Sequence, residues 1–205
     1  MTDIILHGSP FSGHAHRVAL LLKMLGLPFQ VQDANAQIRR TPEFLALNPL
    51  GQIPVLQDGD LTLADSNAIM IYLCKRYAPG SQWLLEDPVG AARIQRWLSI
   101  AAGEIQFGAS YARAISQWNF PGHLPEAHRV ANRILSFMDQ YLNGRTFLAA
   151  DHATIADLAC YSYVAHAPEG GVPLDAYSHV RAWLKRVEAL PHFYALPASP
   201  IPKAS

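Results

Sequence analysis

The chain changes character at Ala78-Pro79-Gly80-Ser81. Before that cluster, short apolar runs alternate with helical stretches; after it, no convincing strand is left. Ile4-Ile5-Leu6 ends at Gly8-Ser9-Pro10 and reads as a buried strand. Val18, Leu21, Leu22 and Leu25 recur at helical steps, and Gly26 stops the helix they define. Phe29-Gln30-Val31 reads as a second strand. Pro42 to Leu47 reads as a short helix, with Thr41 at its N-cap and proline at its first position. Val55-Leu56-Gln57 and Leu61-Thr62-Leu63 flank Asp58-Gly59, the favoured pair of a type I′ hairpin. Asp65 caps a helix carrying Ala68, Ile69, Ile71, Tyr72 and Leu73. The order is βαβαββα, an α+β unit over 1–78.

Residues 79–86 read as a linker and 87–205 as an all-helical domain. Asp87-Pro88 opens a long helix reaching about Gln117. A loop holding Pro121, Gly122 and Pro125 precedes a helix to Leu142, which Asn143-Gly144 ends with Gly144 as a left-handed cap. Thr154 and Asp157 form a capping-box pattern, a structural signal at another helix start. The last helix covers about Tyr177 to Leu190.

Composition narrows the function. Half of the 205 residues are hydrophobic and the formal net charge is zero, so no basic footprint points to nucleic acid. Lys23 cuts the apolar run Val18–Leu22, so no membrane span is expected, and no secretory leader is recognisable. The two cysteines, Cys74 and Cys160, lie far apart in apolar helices and offer neither a disulfide framework nor a zinc spacing. A reduced, cytoplasmic protein without a metal is the simple expectation.

Three stretches carry a resemblance: Gly8-Ser9-Pro10-Phe11-Ser12-Gly13 with Arg17-Val18, Asn48-Pro49-Leu50-Gly51-Gln52-Ile53-Pro54-Val55-Leu56, and Asp60 to Ile69 with Asp65-Ser66-Asn67-Ala68. In this order the chain resembles the cytosolic glutathione transferases, of the bacterial, serine-type kind, over essentially its whole length. The resemblance implies a thioredoxin-like domain, a helical domain, glutathione as co-substrate and a homodimer engaged in detoxification. Leu50 would enter a pocket of the second copy.

It also implies roles for residues. A cis Ile53-Pro54 bond would turn the Ile53 N–H and C=O toward the cysteinyl part of glutathione, like an added strand. Ser66 at a helix start would take the γ-glutamyl carboxylate, and Asp65 the γ-glutamyl amine, while still capping the helix. Gln52 would face the backbone or the glycyl end of glutathione. Arg39 and Arg40 stand where the family often carries His and Lys for the glycine carboxylate; a solvated surface pair is the equal alternative.

Ser12 is the catalytic candidate. A thiol of pKa ~8.5 is only about 3% ionised at pH 7, and a hydroxyl donor at a helix N-terminus stabilises the thiolate. Ser9 is a rival donor. His14 and His16 are expected on the helix surface or at a partner contact, and their spacing excludes a shared metal face. Phe11, Phe107 and Tyr111, with Arg113 and Trp118 as further candidates, are expected to line the electrophile pocket. The loop Ser9–His16 holds no cysteine, which favours conjugation over glutathione-dependent disulfide or peroxide reduction. A non-catalytic glutathione-binding or interaction module is the alternative from a different class.

Overall fold

A computed structural model of the chain describes residues 4–202. Residues 1–3, read as the approach to the first strand, and 203–205, read as the end of the helical half, lie outside the described residues. Strand β1 (Ile4–Gly8) is central. Strand β2 (Phe29–Asp33) joins it in parallel, Ile4 opposite Phe29 and Gly8 opposite Asp33. Strand β3 (Val55–Asp58) runs antiparallel on its other side, with Leu6 opposite Leu56, and β4 (Leu61–Ala64) completes the order β2-β1-β3-β4. Ile4, Leu6 and Leu56 are buried, as the period of two requires.

The hairpin corrects one expectation. Both strands run one residue further, and Asp58 pairs with Leu61, so the loop is Gly59-Asp60. Only Gly59 has a positive φ, +57°. A type I′ turn needs two such residues; glycine at the first central position is the type II′ pattern. Asp58 is instead a strand residue whose carboxylate accepts from the Tyr72 and Tyr77 hydroxyls.

Helices α1 (Gly13–Met24), α2 (Pro42–Leu47) and α3 (Ser66–Tyr77) complete this half. Thr41 caps α2 through Phe44 N–H, and Gly26, at φ +66°, ends α1. The helical half follows. Helix α4 (Pro88–Ile100) continues through a wide-turn π segment (Ala101–Ser110) into α5 (Tyr111–Trp118). The sequence predicts one plain long helix here. Buried Ala101, Ile105 and Ala109 repeat every fourth residue, a spacing that does not betray the wider turn. Helices α6 (Leu124–Leu142), α7 (Ile155–Ala165) and α8 (Ser178–Glu188) complete the half.

One hydrophobic core crosses both halves. Leu6, Leu21 and Met70 belong to the same cluster as Trp97, Leu158 and Trp183. The seam is α1 against α7, and it is close because residue 13 is glycine: a Cβ there would lie 2.8 Å from the Tyr163 ring. Among the described residues, no helix is long and apolar enough to cross a membrane.

Candidate functional site

The first turns of α1 and α3 converge at this seam. Ser12 is the α1 N-cap, and its Oγ accepts from Ala15 N–H at 3.2 Å. Accepting leaves its own proton free to donate, so capping and ligand binding are compatible. Ser9 contributes its carbonyl to Ser12 N–H at 3.0 Å. The Arg113 guanidinium reaches across from α5 and donates to the Phe11 carbonyl at 2.9 Å, holding the residue before Ser12.

On α3, Asp65 adopts φ +73°, a region that disfavours any side chain. Its Oδ1 accepts from both Asn67 and Ala68 N–H at 2.9 Å. Oδ2 makes no hydrogen bond among the described residues, and the side chain stands in solvent. Ser66 is buried beside it at 3% exposure. Arg17 Nη1 donates to Ser66 Oγ at 3.4 Å and to Asn67 Oδ1 at 3.3 Å. His14 Nδ1 lies 3.5 Å from Ser66 Oγ, so the first turns of the two helices meet at this hydroxyl.

The Ile53-Pro54 bond is cis. The Ile53 N–H and C=O have no hydrogen-bond partner among the described residues. The loop before it is fixed by Asn48, whose Nδ2 donates to the Gln52 carbonyl at 2.8 Å. The Gln52 side chain is exposed. Arg39 and Arg40 lie on a short turn, Ile38–Arg40, with Arg39 half-buried and Arg40 exposed. The Arg39 carbonyl sits against Gly51, 3.0 Å from where a Cβ would be, so the turn adjoins the Gln52 loop.

Two expectations about histidine fail. His16 is buried: its Nε2–H donates to the Tyr194 carbonyl at 2.9 Å and its Nδ1 accepts from Ser162 at 2.9 Å. His14 is half-buried, with Nε2 bonded to Gln106 Oε1 at 2.7 Å. The cause is that α7, the π segment and the C-terminal tail cover this side of α1. Burial pushes His14 down to about 3, with the Arg17 charge adding to it, and His16 down to about 4; both are neutral.

Phe11, Phe107 and Trp118 are exposed and Tyr111 is half-buried. Phe11 faces Trp118 at 6.0 Å between centroids, and Phe107 faces Tyr111 at 5.3 Å. Arg113 does not open into this surface. It is 2% exposed, ion-paired to Glu169 and stacked under Trp118. Depressions of about 600 and 380 Å³ lie elsewhere and are lined by none of the candidate residues. Cys74 and Cys160 are buried, and burial pushes the Cys74 thiol up to about 12 and raises that of Cys160 further, so neither is a thiolate. Among the described residues, no group of His, Cys, Asp and Glu is arranged to hold a metal.

Arg17, Gln106 and Glu169 hold positions here that no role read from the sequence covers. Arg17 carried a signal: it shares the α1 face of Leu20 and Leu21, where a charge is out of place. Gln106 had none, since its partner His14 is distant in the chain, and the link of Glu169 to Arg113 likewise joins residues far apart.

Known proteins share this architecture. The family description "Glutathione S-transferase, N-terminal domain" matches residues 6–82, and "Glutathione S-transferase, C-terminal domain" matches 123–191. Glutathione S-transferase 3 of Zea mays is 32% identical over 222 residues, covering 100% of both chains. Glutathione S-transferase theta-2 of Homo sapiens is 31% identical over 183 residues, covering 84% of this chain and 75% of that protein. A glutathione S-transferase structure from Pseudomonas fluorescens superposes with a TM-score of 0.88 at 30% identity, over 94% of this chain and 98% of that one. A glutathione transferase homologue from Drosophila mojavensis, solved with bound glutathione, gives 0.81 at 30% identity over 93% and 90%. With both domain descriptions matched and a relative aligned from end to end, the chain belongs to the glutathione S-transferase family.

Proposed function

We propose that this glutathione transferase is of the serine type, with Ser12 lowering the thiol pKa of bound glutathione for attack on a small hydrophobic electrophile. The meeting of the α1 and α3 first turns at Ser66 carries the reading, because it brings the helix that Ser12 caps against the anion site at the α3 start. Glutathione lies along Ile53 and Pro54 by backbone pairing, with its γ-glutamyl end at Ser66 and Asp65. Gln52 and the Arg39-Arg40 turn face its glycyl end. Phe11, Phe107 and Tyr111 take the electrophile. Catalysis is positioning plus stabilisation of the thiolate by a donor already in place.

The buried cysteines and the cysteine-free loop favour conjugation over disulfide reduction. We place the protein in the cytoplasm, in detoxification and as a homodimer of two-domain subunits (1–78 and 87–205, joined by 79–86). Leu50, 76% exposed, is the side chain that enters the second copy. The test is glutathione titration by calorimetry, then conjugation of a generic aryl halide beside reduction of a glutathione mixed disulfide. A Kd of about 1 mM or tighter is expected, with conjugation the faster reaction. No heat at ten times that concentration rejects the reading, and dominant reduction replaces its chemistry.

A further inference from the structure

Two arginines are buried, and the protein treats them differently. Arg113 has a carboxylate, Glu169, and further acceptors. Arg17, at 1% exposure, has none among the described residues: it makes no ion pair with them, and Nη1 meets only the neutral oxygens of Ser66 and Asn67. Its Nε and Nη2 are buried without a partner among the described residues. Asp65, the acid nearest in electrostatic effect, has committed Oδ1 to capping α3 and leans outward. On the other side the guanidinium lies over the Tyr163 ring, 5.8 Å from its centre. Neighbouring His14 and His16 are neutral, so Arg17 is the cation of this spot.

A buried ion without a counter-ion is destabilising, and arginine does not escape by losing its proton. A missing anion is the simplest completion. The α3 start at Ser66 is where one fits, because a helix N-terminus adds partial positive charge there. Ser66 Oγ accepts from Arg17, and its own proton faces His14 Nδ1 at 3.5 Å, a long contact that a ligand oxygen can replace.

We propose that Arg17 is a positioning residue: a built-in counter-charge for the α-carboxylate of glutathione's γ-glutamyl end, acting through Ser66 and Asn67. The free protein then carries an electrostatic deficit that the ligand removes. The proposal rests on the reading of Ser66 above. A competing role is packing alone, the guanidinium serving as filler between α1, α3 and Tyr163 of α7.

The test pairs two ligands with three proteins. The ligands are glutathione and 4-aminobutyryl-cysteinyl-glycine, which lacks only that carboxylate. The proteins are wild type, Arg17→Met and Arg17→Lys. Arg17→Met is expected to weaken glutathione by about 10- to 100-fold and the carboxylate-free analogue by less than about twofold. KM for glutathione rises by the same factor while kcat at saturation stays near wild type, and Arg17→Lys recovers part of the loss. The urea midpoint of ligand-free Arg17→Met is expected to equal or exceed that of wild type. Equal losses on both ligands would overturn the proposal in favour of packing, as would unchanged glutathione affinity. If Arg17→Met does not fold, the same ligand comparison on Arg17→Lys decides, expecting a selective loss on glutathione. Wild type failing to bind glutathione would instead reject the reading of the site itself.

Discussion

The starts of α7 and α3 each rely on an aspartate, at the third helical position of α7 and at the N-cap of α3, and the two uses are opposites. At α7, Asp157 is wholly buried. Its Oδ1 accepts from Leu148 N–H and Trp183 Nε1–H, and its Oδ2 from the Thr154 N–H and hydroxyl. Every lone-pair direction is in use, and burial raises the carboxyl pKa against the four donors that lower it. At α3, Asp65 spends one oxygen on two amides and leaves the other in solvent, on a backbone of positive φ, before an uncompensated arginine. A helix start saturated by its own chain is architecture. One left open, with a backbone of high energy and a charge behind it, is arranged for something that arrives from outside.

Substitutions can break this contrast. The largest effect is expected at the closed start. Asp157→Ala leaves three buried N–H donors unpaired and should cost about 3–5 kcal/mol in urea unfolding. Glutathione affinity of the folded fraction should change less than about twofold; a larger change would mean that the closed start also serves the site. Next is α1, whose start is capped yet holds a free proton. Ser12→Ala should raise the pKa of bound glutathione by about 2 units, or roughly 2.7 kcal/mol, read from thiolate absorbance. An unmoved titration would transfer the role to Ser9 or to backbone amides.

Acid tests the same seam. His16 titrates at about 4 in the folded chain and 6.5 as its ordinary value. The unfolded state therefore binds the extra proton first. The contribution is intact above pH 6.5, is lost as pH falls, and levels off below about 4. Between pH 7.5 and 5 this amounts to about 2 kcal/mol for His16. His14, lowered to about 3, adds a loss of similar size, so urea midpoints should fall by both contributions and His16→Asn should remove about half of the difference. The smallest effect is expected at Asp65→Gly. Glycine relieves the positive φ and forfeits only a few tenths of a kcal/mol of capping, so stability should hold or rise by up to about 1 kcal/mol. Glutathione should bind about tenfold more weakly, because the free carboxylate oxygen is gone. A loss of stability with intact binding would reverse the contrast between the two starts.

Much of the fold is written locally. Thr41, Asp65, Asp87 and Thr154 sit at helix starts because each side chain caps amides two or three residues on, and such signals survive without knowledge of the third dimension. Turn register is less local: whether Asp58 or Gly59 leads the loop depends on which residue the pairing with Leu61 claims. The π segment is silent, since steps of four suit either turn width. The candidate site divides the same way. Ser12, the Ile53-Pro54 bond and Asp65-Ser66 stand in recognisable stretches. Arg17 and His16 were visible as residues, but their meaning lies in Ser66, Ser162 and Tyr194, which no periodicity connects to α1.

Gly13 against the Tyr163 ring has a consequence for anyone recombining this protein with a relative. The obvious crossover is the 79–86 stretch, where the change in pattern invites a cut. A chimera joined there would inherit one parent's α1 and the other's α7, and with them mismatched neighbours for Gly13, His16 and Arg17. The unit that travels intact is α1 together with the Cys160–Tyr163 face of α7. Specificity under the proposed reading is therefore better varied at Phe107 and Tyr111 within one parent than by exchanging whole domains.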